Sequence, residues 1–138
     1  MNYTKLFITA NIALKKQIVW DLYTNPLHII NWNFASDDWC CPRASNEVKV
    51  GGKYVGRMEA KDGSFGFDFE AIYNEVVEGE YFVYTTPDNR VIKVAFQSIG
   101  DSTEVNIEFD AENQNALELQ QNGWQAILNN FKSYAESL

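Results

Sequence analysis

Residues 53–77 read Lys53-Tyr54-Val55-Gly56-Arg57-Met58-Glu59-Ala60, then Lys61-Asp62-Gly63-Ser64, then Phe65-Gly66-Phe67-Asp68-Phe69-Glu70-Ala71-Ile72-Tyr73-Asn74-Glu75-Val76-Val77. Two alternating runs meet at an Asp-Gly pair; a period of two belongs to half-buried strands, and Asp-Gly is a strong signal for a tight hairpin turn. Phe65, Phe67, Phe69, Ala71 and Tyr73 share one face of the second run. The pattern then repeats. Residues 81–86 end at Pro87-Asp88-Asn89, residues 90–98 end at Gly100-Asp101, and residues 103–109 set Thr103, Val105, Ile107 and Phe109 against Glu104, Asn106, Glu108 and Asp110. An antiparallel meander, dry on one face and wet on the other, is the expected result.

On the C-terminal side, Asn113 or Asn115 is placed to cap a long helix with apolar residues at 117, 124, 127, 128, 131, 134, 135 and 138. Gly123 interrupts that stripe, and a helical Gly costs about 1 kcal/mol relative to Ala. On the N-terminal side, residues 3–10 alternate as a first strand facing Leu6, Ile8 and Ala10 inward. Residues 14–23 carry helical spacing closed by Pro26, and residues 26–32 form a second short helix with Pro at its start. Residues 33–46 lose periodicity and read as a loop, residues 47–50 as a short strand, and Gly51-Gly52 as a bulge or tight turn. The order describes an α+β chain in which a curved sheet grips the C-terminal helix.

The chain has 138 residues, 46% hydrophobic and 14% aromatic, which suits one domain over residues 1–138. A net charge of -8 opposes binding to nucleic acid or to an anionic membrane, both of which need clustered cations. No apolar run approaches the roughly 20 residues of a membrane span. The start, Met1-Asn2-Tyr3-Thr4-Lys5-Leu6, lacks the apolar core of a secretory leader, so a cytoplasmic location is expected. Cys40 and Cys41 are adjacent, an awkward geometry for a disulfide, and are expected as reduced thiols.

Reactive groups are sparse. His28 is the single imidazole, so neither a zinc cluster nor a proton relay can be assembled around it, and no metal or cofactor is expected. Asp68 and Glu70 alternate with phenylalanines and fall on the wet face. Gly51-Gly52 lacks the spacing of a phosphate loop. What remains is an aromatic lining. Tyr54, Met58, Phe67, Phe69, Tyr84 and Phe96 fall on the inner sheet face, and Trp124, Leu128 and Phe131 on the helix stripe. Such residues ordinarily make a packed core. Gly56 and Gly123, read as volume removed where sheet and helix meet, favour a cavity instead, with Tyr and Trp polar atoms as anchoring points.

Five stretches stand out in order: Val19-Trp20-Asp21-Leu22-Tyr23-Thr24-Asn25-Pro26 with Trp32, Val50-Gly51-Gly52-Lys53-Tyr54, Tyr73-Asn74-Glu75-Val76, Thr103-Glu104-Val105, and Gly123-Trp124 with Leu128 and Phe131. Through them the sequence resembles the START-like (SRPBCC) superfamily with the helix-grip fold, in the branch similar to the C-terminal domain of the activator of heat-shock-protein-90 ATPase. The resemblance implies a hydrophobic cavity between sheet and C-terminal helix. Members bind lipids, sterols, polyketides or drug-like molecules, and some are cyclases or hydrolases, a choice that fold alone does not make.

The preferred reading is a non-catalytic protein that binds a small hydrophobic or aromatic ligand, in stress response or detoxification. Trp32, Trp39, Tyr54, Met58, Phe67, Phe69, Tyr84, Phe96, Trp124 and Leu128 are its candidate contacts, with residues 33–46 as a lid. Two alternatives stay open. One is a cyclase- or hydrolase-type enzyme using a cavity Tyr or carboxylate; Glu59 or Glu75 would enter the cavity only on a one-residue register slip. The other is an interaction module for a chaperone, and a homodimer is compatible with any of these.

Overall fold

The computed structural model describes residues 3–138; Met1 and Asn2, at the head of the stretch weighed as a leader, lie outside the described residues. Eleven elements follow in the order β1 (Lys5–Ile12), α1 (Lys16–Thr24), α2 (Pro26–Ile29), β2 (Trp39–Cys40), β3 (Ala44–Asn46), β4 (Lys53–Ala60), β5 (Gly66–Val77), β6 (Tyr81–Thr85), β7 (Val91–Ile99), β8 (Ser102–Asp110) and α3 (Leu117–Glu136). All pairings are antiparallel, in the spatial order β1-β8-β7-β6-β5-β4-β2, with β3 also on β4. The sheet curls around α3, the α+β helix-grip arrangement expected from the sequence.

Alternation places the core. One row across the sheet joins Leu6, Phe109, Ile92, Tyr84 and Tyr73, each opposite the next, and the neighbouring row joins Ile8, Ile107, Val94, Phe82 and Val76. Val76 belongs to the second row because β5 carries a register irregularity between Tyr73 and Glu75. The extra residue turns Glu75 outward, where its carboxylate accepts a hydrogen bond from the Tyr81 hydroxyl at 3.0 Å. Helices α1 and α2 close the other side of the core with Val19, Trp20 and Ile29.

Helix α3 is held on the free edge of β1. The side-chain amides of Gln121 and Gln125 donate to the carbonyls of Phe7 and Thr9, Lys132 Nζ donates to the Asn11 carbonyl, and the Ala13 N–H donates to the Glu136 carboxylate. The spans agree: the six steps from residue 7 to 13 of an extended chain and the fifteen from 121 to 136 of a helix each cover about 20 Å. Three edge carbonyls that would otherwise be open to another chain are thereby paired.

Several local expectations need correction. The stretch 33–46 is not a free loop, since β2 and β3 within it pair with β4. Residues 47–50 form a turn rather than a strand, and the pairing expected there falls on Ala44–Asn46. Gly51 does turn the chain, with φ of 83°, and a Cβ on Gly52 would collide with the Glu47 carbonyl. Neither Asn113 nor Asn115 caps α3. Ala116 occupies that position with no side-chain bond, and Gln120 instead accepts from the Glu112 N–H while donating to the Glu112 and Asn115 carbonyls. Leu117 and Leu138, assigned to the buried stripe, are 44% and 70% exposed.

Phe131 fixes α3 to the core. It is fully buried and sits edge-on to Tyr23 and Trp32, with ring centroids 5.1 and 4.9 Å away. Phe131→Ala should lower unfolding free energy by about 3–5 kcal/mol in urea titrations, the usual range for a truncated core aromatic. Leu119→Ala, at a position 63% exposed, should change it by less than about 0.5 kcal/mol.

Candidate functional site

The buried residues of α3, Leu128, Phe131 and Ala135, all lie in its second half, whereas Leu117 and Leu119 at its start are exposed. The second half of the helix thus carries its buried face, while Gln121 and Gln125 hold the first half at the β1 edge. Between the middle of the helix and the sheet is a pocket of about 320 Å³, bordered on the helix by Trp124, Ile127 and Leu128. Strands β4, β5 and β6 contribute Tyr54, Met58, Phe67, Phe69, Tyr73, Phe82 and Tyr84, the end of α1 contributes Tyr23 and Thr24, and the turn after α2 contributes Trp32 and Asn33. Its volume is at the lower end of those that take small organic ligands.

Of the contacts expected from the sequence, Trp32, Tyr54, Met58, Phe67, Phe69, Tyr84, Trp124 and Leu128 border this space. Trp39 and Phe96 do not. Trp39 lies beside Phe65 and Phe67 at the outer end of the β4–β5 hairpin, with centroids 6.2 and 6.4 Å away. Phe96 is buried against Trp20 and Tyr23 deeper in the core. From the expected lid only Asn33 and Asn46 reach the pocket; Trp39–Cys40 and Ala44–Asn46 within it are paired with β4.

The two glycines act differently from expectation. A Cβ on Gly56 would lie 2.8 Å from the Tyr54 hydroxyl and 2.9 Å from Asn33 Nδ2, so its missing side chain is already filled by a polar contact. There Asn33 Nδ2 donates to Tyr54 Oη at 3.3 Å and toward Cys41 Sγ at 3.8 Å. Gly123 borders no pocket, and a Cβ there would meet nothing within 4 Å.

Packing fixes the aromatic walls. Trp124 stacks on Phe109 with centroids 4.1 Å apart and planes within 9°, and Phe69 meets Trp124 edge-on at 6.1 Å. Tyr73 Oη donates to Asn46 Oδ1 at 2.6 Å, and Asn46 Nδ2 donates to the Thr24 carbonyl at 2.8 Å. Burial raises the pKa of Tyr23, Tyr54, Tyr73 and Tyr84 above the usual phenol value, so all four are neutral donors at physiological pH.

Arg90, Glu112 and Asn115 also border the pocket. Arg90 Nε donates to Asp88 at 2.9 Å. Backbone N–H groups, that of Asn115 first, hold Glu112 below the ordinary carboxylate range. Glu59 bonds Arg57, and with Glu75 it lies off the pocket. Among the described residues no group of three or more His, Cys, Asp or Glu side chains is placed to hold a metal ion, and no helix is long and apolar enough to cross a membrane.

Periodicity already places Tyr73, Phe82 and Ile107 on the inner face, so these lining residues were within reach of the sequence. Asn33, Asn46, Arg90, Glu112 and Asn115 come from turns and strand ends and carry no such signal.

No curated protein matches the chain. Among solved structures, an AHSA1-like protein from Aeromonas hydrophila is 38% identical, with a TM-score of 0.91 over 97% of this chain and 93% of that one. A protein from Cytophaga hutchinsonii is 41% identical, with a TM-score of 0.84 over 96% and 92%. One from Chromobacterium violaceum shares the fold at 18% identity, with a TM-score of 0.85 over 96% of each chain. Residues 13–136 match the family described as "Activator of Hsp90 ATPase homolog 1-like protein", and the chain belongs to that family.

Proposed function

We propose that this protein binds a small hydrophobic or aromatic ligand in the pocket between the sheet and the middle of α3, in a stress-response or detoxification setting and in the cytoplasm. The observation that carries the reading is the make-up of the lining: Met58, Phe69, Trp124 and Leu128 supply an apolar surface, and phenols supply fixed polar points. That is the usual composition of a small-molecule site. Contacts are expected from Trp32, Tyr54, Met58, Phe67, Phe69, Tyr84, Trp124 and Leu128.

The family description concerns activation of a chaperone ATPase, which supports a chaperone partner as a second reading. A purified Hsp90 whose ATP turnover is unchanged by an excess of this chain would remove it.

A thermal-shift screen with apolar aromatic compounds should find ligands that stabilise the fold by about 2.7 kcal/mol at 100 times their dissociation constant. Trp124 borders the pocket, so its fluorescence should respond in the same titrations. Uniformly flat responses would count against ligand binding. Ile127→Trp, which adds volume at a half-buried lining position, should weaken any such ligand at least tenfold while unfolding stays cooperative. Unchanged affinity would place the ligand elsewhere.

A further inference from the structure

The apolar lining leaves a set of phenols unexplained. Tyr54 and Tyr84 are only 7% and 6% exposed, Tyr23 is half-buried, and all three border the pocket. Tyr73 spends its proton on Asn46, and Tyr54 accepts from Asn33. The hydroxyl protons of Tyr23, Tyr54 and Tyr84 meet no acceptor among the described residues. Every side-chain polar atom sealed from the surface has a partner, so the unpaired Tyr23 and Tyr84 hydroxyls are reachable, and the space their rings border is the pocket. The Tyr84 ring lies 5.6 Å from that of Tyr54, centroid to centroid, and both border the same space as Tyr23. Burial keeps each phenol protonated.

The charges point the same way. Arg90 and Glu112 are the ionised lining residues, of opposite sign, and Arg90 is already paired with Asp88. A buried anion would therefore lack a free counter-cation in a chain of net charge -8, and burying an unpaired charge is strongly unfavourable. A neutral carbonyl oxygen meets no such penalty and can accept from two of these phenols at once.

We infer that the pocket selects a neutral, largely aromatic or alicyclic molecule bearing a carbonyl-type oxygen, seated with that oxygen toward Tyr23, Tyr54 and Tyr84 and its apolar body along Phe69 and Trp124. This rests on the proposed ligand binding and adds its chemical class. The test is calorimetric titration of the full chain with three probes sharing one skeleton: tetralin, 1-tetralone and the 1,2,3,4-tetrahydro-1-naphthoate anion. The ketone should bind at least tenfold tighter than either of the others. Tyr23→Phe with Tyr54→Phe and Tyr84→Phe should abolish the preference for ketone over hydrocarbon, and Tyr84→Phe alone should lower it if the triple variant does not fold. Equal binding of tetralin and tetralone, or a preference that survives loss of the hydroxyls, overturns the inference while the ligand pocket stands. Tightest binding by the naphthoate overturns neutrality. If none of the three binds, the pocket reading fails and this inference with it.

Discussion

The free edge of β1 is the constraint around which the rest is arranged. A curled sheet whose first strand has only one neighbour leaves a row of backbone carbonyls unpaired, and Gln121, Gln125 and Lys132 of α3 satisfy those of Phe7, Thr9 and Asn11. These bonds fix the helix in direction and position along the strand, parallel to it. Once the helix is so aligned, Leu128, Phe131 and Ala135 drop into the core under α1 and α2. Edge satisfaction and core burial are thus two sides of one docking event.

The pocket lies where that docking leaves space. Large rings on the inner face of β4, β5 and β6 border it opposite α3, and Trp124 is held against Phe109 on its helix side. The lining is then rigid aromatic surface set by ring-on-ring packing, with Tyr54, Tyr73 and Tyr84 each touching one of the others. Such walls hold a shape without a guest, which limits the ordering cost of taking one up.

Much of the architecture was legible because strand faces obey a period of two. The run from Thr103 to Phe109 has its alternate residues buried as the alternation predicts, and Lys53–Ala60 has the expected bounds. What failed were features decided by contacts between distant segments. The stretch 33–46 has no pattern of its own and becomes strand only because β4 offers it a pairing edge. Gly56 reads as a gap until Asn33 and the Tyr54 hydroxyl are seen to occupy its side-chain volume. Gly123 reads as volume removed for a cavity and faces open space, so nothing in the structure explains its lack of a side chain. Phe96 alternates inward as expected, yet Trp20 and Tyr23 of α1 cover it, and helix placement over a sheet has no signature in the strand itself.

The irregularity in β5 has one more implication. Strict alternation past Tyr73 would aim Glu75 at the interior and Val76 at water; the extra residue reverses the phase at that point. The polarity of the interior thus hinges on a register rather than on a side chain. The same residues paired without the irregularity would carry the Glu75 carboxylate from the solvated side of the strand to the side that faces the phenols, whereas deletion of Asn74 would straighten the strand and leave Glu75 outward.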